Sequence, residues 1–106
     1  MARAIVSIPA SAKRGEVIEV KTIVGHAMET GFRHTQTGEA IPRDIIRSLV
    51  CTYNGVEVFR AELHPAIAAN PLIVFHTVAI ESGTLELTWK GDNGFEAKQS
   101  ASISVV

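Results

Sequence analysis

This chain lacks most of the features that announce a chemistry. Among its 106 residues there is one cysteine, Cys51, so an internal disulfide is excluded and packing alone must hold the core. No apolar run approaches the roughly 20 residues that span a bilayer, and no membrane partner is expected. The opening apolar stretch stops at Ser7, just before Pro9, which is too short for an export leader; by itself the sequence reads as a soluble chain that cannot direct its own export. Charge of one sign is lacking as well. Ten Lys and Arg stand against eleven Asp and Glu, for a net charge of −1, and the cations are scattered along the sequence. Nucleic-acid binding needs a basic face, so no nucleic-acid partner is expected. There is no Ser/His/Asp arrangement, no phosphate-cradling glycine loop and no paired carboxylate motif, so the chain is not expected to be an enzyme.

What is present is a globular composition, 46% apolar and 20% charged, that fits one domain over residues 1–106. The period-two alternation of half-buried strands recurs along it. Arg3–Ile8 reads as a first strand ended by Pro9, and Ala12–Gly15 as a turn. In Glu16–Val24, Ile18, Val20 and Val24 share a face opposite Glu19 and Lys21. Asp44–Tyr53 places Leu49, Cys51 and Tyr53 on one side, and Asn54-Gly55, where both residues tolerate positive φ, signals a tight hairpin into Val56–Ala61. Glu62–Pro71, with His64-Pro65 and Asn70-Pro71, reads as an irregular crossover with at most one helical turn at Ala66–Ala69. Thr84–Lys90 alternates cleanly, Gly91–Gly94 turns, and Phe95–Val105 directs Phe95, Ala97, Ala101, Ile103 and Val105 inward with Ser100, Ser102 and Ser104 outward. About seven short strands and one crossover predict an all-β, immunoglobulin-like antiparallel β-sandwich.

Three features invite function. A reactive thiol wants exposure and a positive neighbourhood, and Cys51 has neither by pattern, so a buried small hydrophobe is expected. Four histidines and one cysteine also bring to mind superoxide reductases, which set such residues around iron on a similar sandwich. Here His76 sits in a strand and no histidine adjoins Cys51; only His26, Met28 and His34 could form a metal-binding cluster, for iron or copper. The third feature is Leu72–Ile80, apolar on both faces. Ile73, Phe75, Thr77 and Ala79 alternate with Leu72, Val74, His76, Val78 and Ile80. Either this strand is central and covered twice, or its second face is a protein interface.

The segment His26–Arg43, HAMETGFRHTQTGEAIPR, breaks the alternation. A loop of about 18 residues is long for a small domain. His26-Ala-Met28-Glu29-Thr-Gly31-Phe-Arg33, with Gly38 and Ile41-Pro42-Arg43-Asp-Ile45-Ile46, resembles the signature region of the SoxZ family, the non-catalytic half of the SoxYZ carrier in bacterial thiosulfate oxidation. Pro9–Gly15, Cys51, Asn54-Gly55 and Asn70-Pro71 extend the resemblance over nearly the whole chain.

The resemblance implies a sandwich without cofactor or metal that forms a heterodimer with a SoxY-like subunit. That partner carries sulfur intermediates on a cysteine in a glycine-rich C-terminal arm. The C-terminus here, Ser102–Val106, has neither cysteine nor glycine, which marks this chain as the other subunit. Further implications are transient contact with other sulfur-oxidation enzymes, a periplasmic location reached by co-export with a signal-bearing partner, and room for a homodimer when the chain is alone. The residues expected to meet partners are His26, Met28, Glu29, Arg33, Pro42 and Arg43 in the loop, and Leu72, Val74, Val78 and Ile80 on the apolar strand. The final strand Phe95–Val105 is expected to add apolar area to that interface.

Overall fold

A computed structural model describes residues 3–106. Eight strands form two sheets. β1 (Ala4–Ser7), β3 (Val17–Val24) and β6 (Leu72–Val78) make a three-stranded sheet in the order β1-β3-β6. β2 (Ser11–Ala12), β8 (Glu96–Val105), β7 (Gly83–Gly91), β4 (Ile46–Tyr53) and β5 (Val56–Glu62) make a five-stranded sheet in the order β2-β8-β7-β4-β5. The expected immunoglobulin-like sandwich is thus the observed one. Every pairing is antiparallel except the two-residue parallel contact of β2 with β8. That contact falls where a turn was expected to begin: Pro9, which has no N–H for a ladder, ends β1, and the chain crosses to the opposite sheet.

The alternation of apolar residues builds the core between the sheets. Ile18, Val20 and Val24 from β3 meet Leu49, Cys51 and Tyr53 from β4 and Leu85, Leu87 and Trp89 from β7, all buried. Phe59 of β5 stacks on Phe75 of β6 with ring centroids 4.0 Å apart, closing one side. At one end of the sandwich the Tyr53 hydroxyl donates to the Glu81 carbonyl and accepts from the Ile80 and Glu81 amides, tying β4 to the chain leaving β6. Asn54 and Gly55 both hold positive φ, at 49° and 84°, the backbone that a tight hairpin of matching twist demands. The crossover is irregular, as expected; no helical turn forms at Ala66–Ala69, and one turn closes from the Ile67 amide to the His64 carbonyl.

The molecule is long, 60 × 20 × 19 Å. Strands of eight to ten residues span about 30 Å at 3.3 Å per residue, so the sandwich alone is half that length. The remainder is the His26–Arg43 segment, which is a protruding two-legged arm. Glu29 and Asp44 exchange both backbone hydrogen bonds at 2.8 Å; further out, Ile41 donates to Arg33 and Thr35 to Glu39, and Gly38 closes the tip on Thr35. Gly31, at φ +89°, lets the two legs meet, because a Cβ there would lie 3.0 Å from the Arg43 Cβ.

Candidate functional site: an apolar sheet face and an arm

β6 is an edge strand of the smaller sheet. The reading in which it is central and covered twice is therefore corrected: Ile73, Phe75, Thr77 and Ala79 point into the sandwich, while Leu72, Val74, His76 and Val78 face outward with nothing over them. The register shows what joins them. Ile5, Ile23 and Leu72 form one row across β1, β3 and β6; Ser7, Lys21 and Val74 form the next; Glu19 pairs with His76; Val17 stands opposite Val78. Ile5, Val17, Ile23, Leu72, Val74 and Val78 are all exposed on this one face, and Ile80 is exposed just past the end of β6. These side chains are roughly half exposed, on the order of 600 Å² in all, which is at the upper limit of the apolar patches that monomers normally show. Val17, Ile23 and Ile5 escaped notice in the sequence, although Val17 and Ile23 occupy the polar phase of β3 and were the available signal. The polar members, Lys21 and the Glu19–His76 pair with Nε2 and Oε2 3.9 Å apart, cross the middle of the face.

The arm begins at the edge of that face. The His26 amide donates to Asn70 Oδ1 at 2.9 Å, and the Asn70 amide returns a bond to the His26 carbonyl at 2.7 Å, so the arm root is fixed two residues before Leu72. The His26 side chain is 7% exposed, with Nε2 3.5 Å from Asp44 Oδ1 and the ring edge-on to Phe95. Its Nδ1 accepts the Met28 amide at 2.9 Å. Met28 takes φ +53°, which turns its side chain into the core. There it is buried and its Sδ accepts the Ile46 amide at 3.2 Å. The expectation that His26 and Met28 are surface contacts is corrected on these grounds, because local hydrogen bonding and burial commit both to anchoring the arm.

The other arm residues lie outside. Arg33 grips Glu29 with two bonds of 2.8 and 3.0 Å, and that hydrogen bond holds the Glu29 carboxyl below its usual range. Arg43 grips Asp92 through Nε and Nη2, both at 2.9 Å, and Asp92 also accepts the Ile45 amide. The guanidinium beside it lowers the Asp92 carboxyl in the same way. This clasp fixes the returning leg to the turn after β7. Pro42 and His34 are exposed, and Phe32 is 80% exposed midway along the arm.

The metal cluster is not assembled. His34 lies on the exposed outer arm, whereas Met28 Sδ is inside and already bonded. Among the described residues no group of three or more His, Cys, Asp or Glu side chains could hold a metal ion. Cys51 is fully buried and desolvation pushes its thiol up to about 11, so it is not poised as a thiolate. β8 differs from its expected role: Ala97 and Ile103 are spent in the core, and the outward residues Ser100, Ser102 and Ser104 are polar. It therefore brings little apolar area to an interface.

The fold defines a class first: an immunoglobulin-like sandwich of the type shared by superoxide reductases and by a sulfur carrier. A superoxide reductase (neelaredoxin) from Ignicoccus hospitalis superposes with TM-score 0.70 at 18% identity, covering 97% of this chain and 80% of that one. The sulfur carrier protein SoxY from Chlorobium limicola f. thiosulfatophilum gives 0.65 at 10% identity over 97% and 78%. A superoxide reductase assigned in Thermotoga maritima gives 0.63 at 19% over 97% and 85%. At such identities these likenesses establish the fold. No curated protein sequence matches the chain. The family is settled by the sequence profile of sulphur oxidation protein SoxZ, which matches residues 6–102; this chain belongs to the SoxZ family.

Proposed function

We propose that this chain is the scaffold subunit of a two-chain sulfur carrier, without catalytic activity of its own, and that it pairs with a SoxY-like subunit whose C-terminal cysteine arm bears the intermediates of thiosulfate oxidation. One observation carries the reading: the exposed aliphatic face of Ile5, Val17, Ile23, Leu72, Val74, Val78 and Ile80. Stable interfaces cover about 800 Å² per partner, and obligate ones are rich in such side chains. Membership of the SoxZ family supports the same role. So does the burial of Cys51, which keeps that thiol from serving as an exposed carrier group.

On this reading the face binds the carrier subunit, and the arm, with Phe32, Arg33 and Pro42 exposed along it and Glu29 holding Arg33, reaches along that subunit or toward the enzymes that act on it. A periplasmic location follows from co-export with the partner. Co-expression of the chain with a SoxY-like subunit, followed by size-exclusion chromatography with light scattering, should give a stable 1:1 complex. A chain that stays alone, or pairs only with itself in the presence of the partner, refutes the proposal.

A further inference from the structure

The ten Lys and Arg are scattered in sequence, but half of them gather in space. Five of them, Arg43, Arg47, Arg60, Lys90 and Lys98, line two adjoining depressions on the outer side of the five-stranded sheet, of about 400 and 340 Å³. The two share Ser48, Arg60 and Lys90, and of the eleven Asp and Glu only Glu62 lines either. Strand register explains the gathering. Ser48 stands opposite Lys90, Val50 lies between Arg60 and Thr88, and Thr88 stands opposite Lys98. With strands about 4.8 Å apart, Arg60 and Lys98 lie roughly 14 Å from each other across the groove. The expectation that the cations are scattered is corrected for these five.

Most of these cations have donors to spare. Arg43 is clasped by Asp92, and Arg60 gives one Nη2 bond to Glu57. Lys90 and Lys98 straddle Glu96 at 4.0 and 3.7 Å, beyond hydrogen-bond distance, and Arg47 makes no ion pair among the described residues. The floor is small or apolar: Ile45, Leu63 and Gly91 at one end, Ser48, Val50 and Thr88 at the other.

We propose that this groove binds an extended acidic peptide segment of a partner protein. Carboxylates at positions i and i+4 of an extended chain are about 13 Å apart, the span from Arg60 to Lys98. A nucleic-acid strand fits worse, because no Phe, Tyr or Trp lines the groove for base stacking. A lone oxyanion would meet only exposed, flexible cations in an open depression. The site lies on the opposite outer face of the sandwich from the aliphatic patch, and it stands whether or not that patch binds a carrier subunit.

The test is an amide NMR titration of the full-length chain with a peptide of about nine residues alternating glycine and glutamate, beside arms with inorganic sulfate and a single-stranded DNA oligonucleotide. Shifts should centre on Arg47, Ser48, Arg60, Thr88, Lys90 and Lys98. Affinity should fall about tenfold or more between about 20 and 300 mM sodium chloride, as screening predicts. Lys90→Glu with Lys98→Glu should weaken the peptide at least about tenfold, with the far-ultraviolet circular dichroism unchanged, because both side chains are exposed; Lys98→Ala alone should weaken it severalfold. The proposal is overturned by shifts elsewhere or none, by variants that keep the affinity, or by sulfate or DNA binding the groove as tightly as the peptide.

Discussion

Leu72→Ala is the sharpest probe of the aliphatic face. Leu72 is 61% exposed in the isolated chain, which leaves about 110 Å² to be covered by a partner. Roughly 80 Å² of that lies beyond Cβ, and at about 25 cal/mol per Å² its loss costs about 2 kcal/mol of binding, or about 30-fold in Kd. Val78→Ala, at the far end of the same strand, should cost about 1 kcal/mol. The two positions are about 20 Å apart, so their effects should add to about 3 kcal/mol, more than 100-fold. Both residues are exposed in the folded chain, so its own stability should move by no more than about 0.5 kcal/mol. Titration calorimetry against a SoxY-like subunit reads the first effect, and thermal melts of the isolated chain read the second. The same double variant should turn any self-paired chain into a monomer. If the double variant binds the carrier within threefold of the parent while its melt is unchanged, this face is not the interface and the argument from its exposure fails.

Cys51, buried and raised to about 11, should resist thiol reagents at pH 8 in the folded chain and label fully in denaturant; rapid labelling of the native protein contradicts the packing described. Asp92→Asn removes a carboxylate whose folded pKa is lowered by Arg43. A depressed pKa gives stability that is complete above the ordinary value of 3.8 and lost as pH falls through the folded one. The variant should therefore melt below the parent at pH 5 to 7, and the gap should narrow progressively as pH falls below 3.8; a gap that does not change with pH assigns the effect to something other than charge. Gly91→Ala would bring a Cβ to 2.5 Å from the Ile45 carbonyl oxygen and 2.9 Å from the Ile46 Cα. Backbone cannot yield as a side chain can, so we expect a loss of about 2 kcal/mol and a fall of roughly 10 °C in Tm by calorimetry.

Much of this protein was determined by local sequence. Alternation of period two placed Ile18, Val20, Val24, Leu49, Cys51 and Tyr53 on inward faces, Asn54-Gly55 specified its turn, and the HAMETGFR and IPRDII segments carried the family. These follow from interactions between near neighbours, which a sequence displays directly. Alternation says which residues share a face, but not which faces are covered. Only sheet order made β6 an edge strand and set Val17, Ile23 and Ile5 beside Leu72 and Val78. Only the positive φ of Met28 turned a residue of the arm into the core, where its Sδ accepts the Ile46 amide. Likewise Arg60, Lys90 and Lys98, from three different strands, became one groove because pairing register, a long-range property, brought them together.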